Sequence, residues 1–588
     1  MKSSSLRKAA EPKSSRILRE AQPAASKSYW WAYGLGIFVA LYAALEVYQP
    51  VLRAPFLFDD LYLPFTDPAY AVRSFGEWVR GARPLLMATY WVNFQNSGLD
   101  TFQYHVWNVL LHVLTSAMAW LIVRNLLARA GESGWRRETL AALAGAIFLL
   151  HPLQTESVAY VASRSESLSV GLAYAALAIF LYGLDQPVGW VRTVILLGLF
   201  GAATLSKEHT AVMPGALVLA DTFWGRRTML QSLRRHWRLF GPLTVAGGLG
   251  FAFVWRVLKA SSSAGFQIKD LSWSQYFFSQ CRAIWVYVRM FFLPYGQNVD
   301  HDFPISRSLI DHGAIFGLVG LVAVTLLAWK WRTRFPLASF GVFLFLLLIA
   351  PTSSVVPIMD LLVERRVYLP MVGLLLIVCE VLRHLPLRRW PLIGVAAVIS
   401  LTLAALTVNR NQVWTSEIAL WTDAVAKSPR KMRPRFQLAY AYFSAQQCGR
   451  AAEEYEKASQ LGPVGTSLLV DWALAYDCAG LYESALAKLE EALEKEKTAH
   501  IYSLMGMVQA KLGHYPEAWK ALDAAMALNP RFAMTYVYRG NLRMIDGDLT
   551  GALEEYRRAL SFDPGLPAAR DALMRAEAKR KAETSSAP

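Results

Sequence analysis

The 588-residue sequence lacks the short motifs that identify most nucleotide-dependent proteins and common hydrolases. It contains no Walker sequence, no GxGxxG, no GxSxG and no HExxH, so ATP-driven transport and those hydrolase mechanisms lose support. Cysteine is scarce as well, with four residues and no CxxC pair. Cys448 and Cys478 share the C-terminal region and could pair if that region is exported, although nothing in the sequence requires it.

The N-terminal 28 residues have no apolar stretch of their own and are polar and basic. The hydrophobic segment that follows begins with Tyr29-Trp30-Trp31 and runs for about 20 residues without a small-residue cleavage site. This pattern predicts an uncleaved signal anchor.

The composition is 54% hydrophobic and 13% aromatic, with a mean hydropathy of +0.27. A soluble protein of this size is less apolar, so the chain is predicted to hold a membrane domain and one further domain. The net charge is +16, but the lysines and arginines form short clusters beside hydrophobic segments. That placement is typical of topology-setting charge rather than of a nucleic-acid surface.

Hydrophobic segments of spanning length, or slightly shorter, occur twelve times before residue 410. They lie near 30–50, 104–126, 138–154, 166–184, 190–206, 209–223, 238–257, 275–295, 312–330, 336–352, 366–383 and 390–409. With the N-terminus inside, the positive-inside rule holds to residue 257 and then requires that 275–295 does not cross. That segment carries Arg282 and Arg289 among aromatic residues, which suits an interfacial or re-entrant helix. We therefore predict eleven spans, with the C-terminus outside.

After Asn409 a period of about 34 residues appears, which is the tetratricopeptide period. Small residues recur at two positions of this period: Ala451, Ala485, Ala518 and Ala552, and again Ala458, Ala492, Ala525 and Ala559. The predicted fold class is thus all-α, a polytopic membrane helix bundle followed by a tetratricopeptide-repeat solenoid. The predicted domains are a basic cytoplasmic tail 1–28, a multi-span domain 29–410, four full repeats within 411–575, and a charged tail 576–588.

The predicted topology places polar residues in every outer loop. They are Asp59, Asp60, Asp67, Arg83, His151, Glu156, Arg164, Glu166, Lys207, Glu208, His209, Asp300, His301, Asp302, Asp360, Glu364, Arg365 and Arg366. Any one of them is more often structural than functional, but together they predict the rim of an outward-facing site. His105, Asn108 and His112 share one helix face, where interhelical hydrogen bonding is favoured over a metal site.

Group transfer outside the membrane has no ATP and typically uses a lipid-linked donor. Such a reaction needs a carboxylate that deprotonates an acceptor hydroxyl or holds a cation. It also needs arginine or lysine to neutralise the departing phosphate. The outer loops contain both kinds of residue.

Ordered short motifs resemble the transmembrane and tetratricopeptide-repeat-containing O-mannosyltransferases and their bacterial relatives. The motifs are Phe58-Asp59-Asp60 with Asp67-Pro68, Arg83-Pro84-Leu85, Tyr104-His105-x-x-Asn108-x-x-x-His112, His151-Pro152-x-x-Thr155-Glu156, Arg164-x-Glu166, Leu205-Ser206-Lys207-Glu208 and Glu364-Arg365-Arg366-x-Tyr368. Each motif is short, and their order in one chain makes the resemblance specific.

The resemblance implies a GT-C glycosyltransferase fold, a polyprenyl- or dolichyl-phosphate sugar donor and a protein hydroxyl as acceptor, with the repeats on the donor's side. It implies that Asp59 or Asp60 is the general base or a metal-organising carboxylate, with a slight preference for Asp60. Arg365 or Arg366 would contact the lipid phosphate, followed by Arg164 and Lys207. The remaining candidates are Arg83, His151, Glu156, Glu208, His301 and Glu364.

The resemblance leaves the acceptor open, because animal members carry more repeats than the four found here. It also leaves the sugar open, and the use of a divalent cation, since GT-C enzymes are known with and without one. The expected location is a bacterial inner membrane with periplasmic repeats, or an endoplasmic reticulum membrane with lumenal repeats. The expected partners are the lipid-linked sugar, an acceptor protein and membrane lipids, and no nucleic acid. Two alternatives are a membrane-anchored repeat scaffold for envelope assembly and a flippase for lipid-linked sugars.

Overall fold

The computed structural model describes residues 30–67, 70, 72–260 and 264–585, and these residues fold as helices joined by loops, without a strand. The predicted tail 1–28 and Pro68 lie outside the described residues. Helices of at least ten residues in the N-terminal part are α1 Trp30–Tyr48, α2 Pro84–Ser97, α3 Thr101–Arg129, α4 Gly134–Leu150, α5 Arg164–Tyr182, α6 Trp190–Thr204, α7 Met213–Trp224, α8 Trp237–Ala260, α9 Trp273–Phe292, α10 Ala314–Lys330, α11 Pro336–Ile349, α12 Met371–His384 and α13 Arg389–Gln412.

Each of the twelve hydrophobic segments overlaps one of these helices, and the all-α prediction is confirmed. Among the described residues, five helical stretches are long and apolar enough to cross a membrane. They are Trp31–Val51, Thr101–Arg129, Val161–Tyr182, Asp311–Lys330 and Arg389–Thr415. The amphipathic α9 is not one of them. The total of eleven spans therefore stays a prediction.

The helical bundle is organised around α3, which packs on α4 and α5, while α4 packs in turn on α12 and α13. Two glycines allow the close packing of α11 on α12. A Cβ atom added to Gly341 would lie 2.4 Å from the Gly373 carbonyl oxygen, and the reverse contact is equally short. Small residues at such a crossing bring two membrane helices into direct backbone contact.

The C-terminal region consists of α14 Glu417–Lys427 and four helical hairpins that end in a long helix. These are α15 Met432–Ser444, α16 Cys448–Ser459, α17 Thr466–Cys478, α18 Tyr482–Lys495, α19 Ala499–Lys511, α20 Tyr515–Leu528, α21 Ala533–Ile545, α22 Leu549–Phe562 and α23 Pro567–Ser585. All eight periodic alanines are fully buried, as close helix packing requires. Helix α23 continues from the last hairpin into the predicted charged tail, as far as Ser585.

The turn within each hairpin needs one residue in the left-handed region. Gly480, Gly513 and Gly547 occupy it with φ between 76° and 80°, a conformation that glycine adopts without a Cβ clash. In the first hairpin Gln446 takes this position with φ 58°. Cys448 follows closely and forms a disulfide with Cys478, which links the first two hairpins.

Ion pairs join the first hairpin to the loops of the helical bundle. Asp300 is 2% exposed and accepts hydrogen bonds from Lys431 and Arg433. Arg433 Nη2 also lies 2.8 Å from Asp360 Oδ1. The repeats are therefore docked on the same loops that carry the candidate site residues.

The predicted topology has a direct test at two exposed loop positions. We expect a cysteine at Ser308 to react with a membrane-impermeant maleimide in intact cells or spheroplasts, because α9 is predicted not to cross. The matched position Thr333, in the loop between α10 and α11, is expected to react only after permeabilisation. The native Cys281 and Cys379 are buried and give little background. The opposite labelling pattern would overturn the prediction that 275–295 stays on one side.

Candidate active site

The loop that follows α1 contains a short 3₁₀ turn, Phe58–Tyr62, which carries two carboxylates with different environments. Asp59 is exposed, whereas Asp60 is 1% exposed. The Asp60 carboxylate accepts three backbone hydrogen bonds, from Ala162 at 2.6 Å, from Leu57 at 3.2 Å and from Val161 at 3.3 Å. Asp60 thus fastens the loop to the turn that precedes α5.

These contacts correct the slight preference for Asp60 as the residue that faces a sugar. Burial raises the pKa of the Asp60 carboxyl, although the three amide groups act in the opposite direction. A carboxylate that is 1% exposed and bound to three amide groups offers little room for a substrate or a cation. Asp59 is the carboxylate that remains available.

The backbone around Asp59 is fixed by Tyr160, a residue that the sequence did not single out. The Asp59 amide donates a hydrogen bond of 2.9 Å to the Tyr160 hydroxyl. Tyr160 is 2% exposed and packs between the rings of Phe58 and Trp414. Arg365 pairs with Glu156, four residues before Tyr160, so Asp59 and Arg365 both contact the segment 156–160 and form one cluster.

Arg365 supplies the positive charge of the cluster. Its Nη1 donates to the buried Glu156 carboxylate, and its backbone amide donates to the same group at 3.0 Å. Its side chain is 30% exposed, and among the described residues its Nε and Nη2 groups donate to no protein acceptor. Burial raises the pKa of the Glu156 carboxyl, and the positive charge of Arg365 acts in the opposite direction. One edge of the guanidinium group is therefore directed away from its carboxylate partner.

The neighbouring Arg366 and Glu364 have structural contacts instead. Arg366 donates to the carbonyl groups of Asp360 and Leu361 and to the hydroxyl of Tyr276. Glu364 is 1% exposed, and its Oε1 lies 3.1 Å from His301 Nε2. These contacts brace the loop that presents Arg365, and they disfavour Arg366 as the phosphate ligand.

A second basic group lies near Glu166 at the start of α5. Lys207 Nζ pairs with Glu166 Oε1, and His209 Nε2 lies 3.3 Å from Glu166 Oε2. Arg83 and Glu208 form a bidentate pair with both distances at 3.0 Å. Burial lowers the pKa of Lys207, whereas Glu166 raises it.

Two candidates are structural in this geometry. Arg164 is fully buried, and its guanidinium donates to Asn108 Oδ1 at 2.8 Å, to Asn93 Oδ1 at 2.6 Å and to the Tyr104 carbonyl at 3.1 Å. It has no exposed group for a phosphate. His151 is 1% exposed and stacks on a phenylalanine ring, with one ring nitrogen 2.9 Å from a backbone carbonyl oxygen and the other 3.2 Å from the Leu153 amide.

The helix face of α3 is used for hydrogen bonding between helices, as predicted. His112 Nδ1 lies 2.8 Å from the Tyr368 hydroxyl, and Nε2 lies 3.1 Å from the Leu149 carbonyl oxygen. His105 Nε2 lies 3.2 Å from the Ala54 carbonyl oxygen. Within the described residues, no three histidine, cysteine or acidic side chains are grouped as ligands for one metal ion.

The fold and this cluster define a class: an all-helical membrane protein that gathers a carboxylate and basic side chains in its loops and carries a tetratricopeptide solenoid at its C-terminus. A tetratricopeptide-repeat family model matches residues 503–567. The chain is similar to protein O-mannosyl-transferases of animals, which confirms the resemblance drawn from the motifs.

Three such relatives show the extent of the similarity. Protein O-mannosyl-transferase F38B6.6 of Caenorhabditis elegans is 22% identical over 68% of this chain and 59% of its own length. Protein O-mannosyl-transferase TMTC3 of Mus musculus is 22% identical over 82% of this chain and 57% of its own. Tmtc1 of Drosophila melanogaster is 34% identical over 23% of this chain and 14% of its own. The chain thus spans less than two thirds of the length of these relatives.

Proposed function

We propose that the protein is a GT-C type glycosyltransferase that moves mannose or a similar sugar from a polyprenyl-phosphate donor to a serine or threonine hydroxyl of a protein. The reaction takes place at the extracytoplasmic face. The observation that carries the proposal is that the exposed Asp59 and the partly exposed Arg365 both contact the segment 156–160. The Asp59 amide donates to the Tyr160 hydroxyl, and the Arg365 guanidinium pairs with Glu156.

The two groups have complementary tasks in such a transfer. The acceptor hydroxyl oxygen forms a bond to the sugar C1 atom, while the bond from C1 to the donor phosphate oxygen breaks. Asp59 takes the hydroxyl proton, and the polyprenyl phosphate leaves with the bonding electron pair. Arg365 binds this phosphate through the guanidinium edge that Glu156 does not occupy, and Lys207 adds positive charge from the Glu166 group.

The acceptor is proposed to bind the repeats, because helical solenoids present extended surfaces to peptides and proteins. The ion pairs of Asp300 with Lys431 and Arg433 hold the first hairpin beside the loops that contain the site. Positioning an acceptor in this way can account for a large part of a rate enhancement. The disulfide between Cys448 and Cys478 supports an oxidising compartment, such as a periplasm or a lumen.

The decisive measurement is sugar transfer by the purified full chain in lipid nanodiscs. Each reaction contains a polyprenyl-phosphate donor with a labelled sugar and a serine- and threonine-rich peptide. Mannose is the sugar in one reaction, and other sugars replace it in parallel reactions. We expect a labelled hexose on a peptide hydroxyl, localised by fragmentation mass spectrometry, and none with Asp59→Asn. The Glu483→Ala variant, in a repeat helix, controls for protein quality.

The rival functions give other results in the same preparation. A scaffold would bind the peptide but not polyprenyl phosphate. A flippase would bind the lipid and move it between leaflets without forming a glycopeptide. Either result, with every donor sugar tested, would contradict the proposed transfer.

A further inference from the structure

The turn that carries Asp59 has an unusual backbone. Phe58 has φ 52°, in the left-handed region that a bulky side chain rarely adopts. Its amide donates a hydrogen bond of 2.5 Å to Glu417 Oε1, a residue 359 positions further along the chain. Strained conformations of this kind persist only where surrounding contacts fix them. Glu417 is the contact that holds this one.

Glu417 is itself held in place. Its other carboxylate oxygen accepts a hydrogen bond of 2.7 Å from the indole Nε1 of Trp421, one helical turn later. The Trp421 ring is fully buried and meets the Phe58 ring edge to face, with centroids 5.1 Å apart. The same helix, α14, therefore contacts both the backbone and the side chain of Phe58.

The position of the Glu417 carboxylate is not explained by capping of its own helix, α14. The N-terminus of α14 is already capped by Ser416, whose hydroxyl accepts a hydrogen bond from the Ala419 amide at 3.1 Å. Glu483 lies in the first turn of α18, and it is exposed. The contact of Glu417 with the catalytic loop is thus a separate feature of α14.

We propose that Glu417 is a positioning residue, which orients Asp59 by fixing the left-handed backbone of Phe58. The inference rests on the proposed function, in which Asp59 is the base. Three consecutive amides of the turn then have defined partners: Phe58 with Glu417, Asp59 with the Tyr160 hydroxyl, and Asp60 with the Leu57 carbonyl at 2.9 Å. The helix that leads into the repeats is in this way a working part of the active site.

The activity test compares three variants of the full chain in nanodiscs. Glu417→Ala is expected to lower kcat by about 10- to 100-fold, because a misplaced catalytic group loses its near-attack geometry. The KM for the donor should change by less than about twofold, since Arg365 has a separate carboxylate partner. Glu417→Gln should recover part of kcat, because its single amide oxygen can accept the Phe58 hydrogen bond while its NH2 group loses the contact with the Trp421 indole. Glu483→Ala should match the wild type.

A second measurement decides the inference without any activity. Hydrogen–deuterium exchange of a peptide covering residues 57–63 should speed up most in Glu417→Ala, less in Glu417→Gln, and stay at the wild-type rate in Glu483→Ala. Unchanged exchange in Glu417→Ala would overturn the inference, as would a loss of donor binding equal to the loss of kcat. If the wild type transfers no sugar while exchange follows the expected order, the proposed function fails and the role of Glu417 in fixing the loop stands.

Discussion

Replacing Asp59 by asparagine is expected to lower kcat for sugar transfer by about 10²- to 10⁴-fold, the usual contribution of a general base. Asparagine keeps the size of the side chain but cannot take the hydroxyl proton. The side chain is exposed, so the thermal midpoint should stay within about 2 °C of the wild type, as for most surface substitutions. The measurement is single-turnover transfer from labelled donor, with the melting temperature recorded on the same preparation.

Asp60→Asn is the matched control, one residue away and with the opposite expected profile. Its amide can no longer accept all three backbone hydrogen bonds, which costs about 1.5–3 kcal/mol where a charged acceptor is lost. We therefore expect a lower melting temperature and a loss of activity that follows it. A stable but inactive Asp60→Asn together with an active Asp59→Asn would reverse the assignment. Wild-type transfer by the double variant would end the carboxylate role.

The helices and the repeats could be predicted because their signals are local. Hydrophobic runs and a 34-residue alanine period follow directly from which side chains a membrane helix or a packed hairpin accepts. The disulfide between Cys448 and Cys478 was left open, because pairing depends on distances that spacing alone does not fix.

The roles within the site could be predicted only in part. Asp59 and Asp60 look alike in the sequence, and only the fold shows that one of them is bound to three amide groups. Arg164 has the same difficulty, since the asparagine and carbonyl oxygens that surround its guanidinium come from α2 and α3. A charged residue in a loop between membrane helices is equally compatible with a role in catalysis and with a structural ion pair, until its contacts are known.

Other residues of the site were missed because their partners are remote. Glu417 meets Phe58 across 359 positions, and Tyr160 meets Asp59 across 101. No motif connects these pairs. Glu166 and His209 were noticed as polar loop residues, but their pairing with each other and with Lys207 appears only when α5 and the 205–212 loop pack together.

Arg365 carries the second large effect. Arg365→Lys is expected to weaken binding of polyprenyl phosphate by about 10- to 100-fold, since one charge-assisted hydrogen bond is worth about 1.5–3 kcal/mol. Lysine can still neutralise the buried Glu156. A single ammonium group cannot, however, replace a planar guanidinium that donates to a carboxylate from one edge and to a phosphate from the other. Lysine is preferred to alanine here because removal of all charge would leave Glu156 buried and unpaired, at a cost of about 3–5 kcal/mol.

Arg366→Lys separates phosphate binding from loop integrity. Its guanidinium donates to two carbonyl groups and one tyrosine hydroxyl, so this variant should lower the melting temperature while it changes lipid affinity by less than about threefold. Affinity is measured by displacement of a fluorescent polyprenyl phosphate from nanodisc-embedded protein. Equal losses of affinity in both variants would mean that the loop as a whole shapes the lipid site. A larger loss in Arg366→Lys would move the phosphate contact to that residue. A loss confined to Arg365→Lys would identify the guanidinium edge beside Tyr160 as the phosphate contact, on the side of the cluster where Asp59 takes the proton.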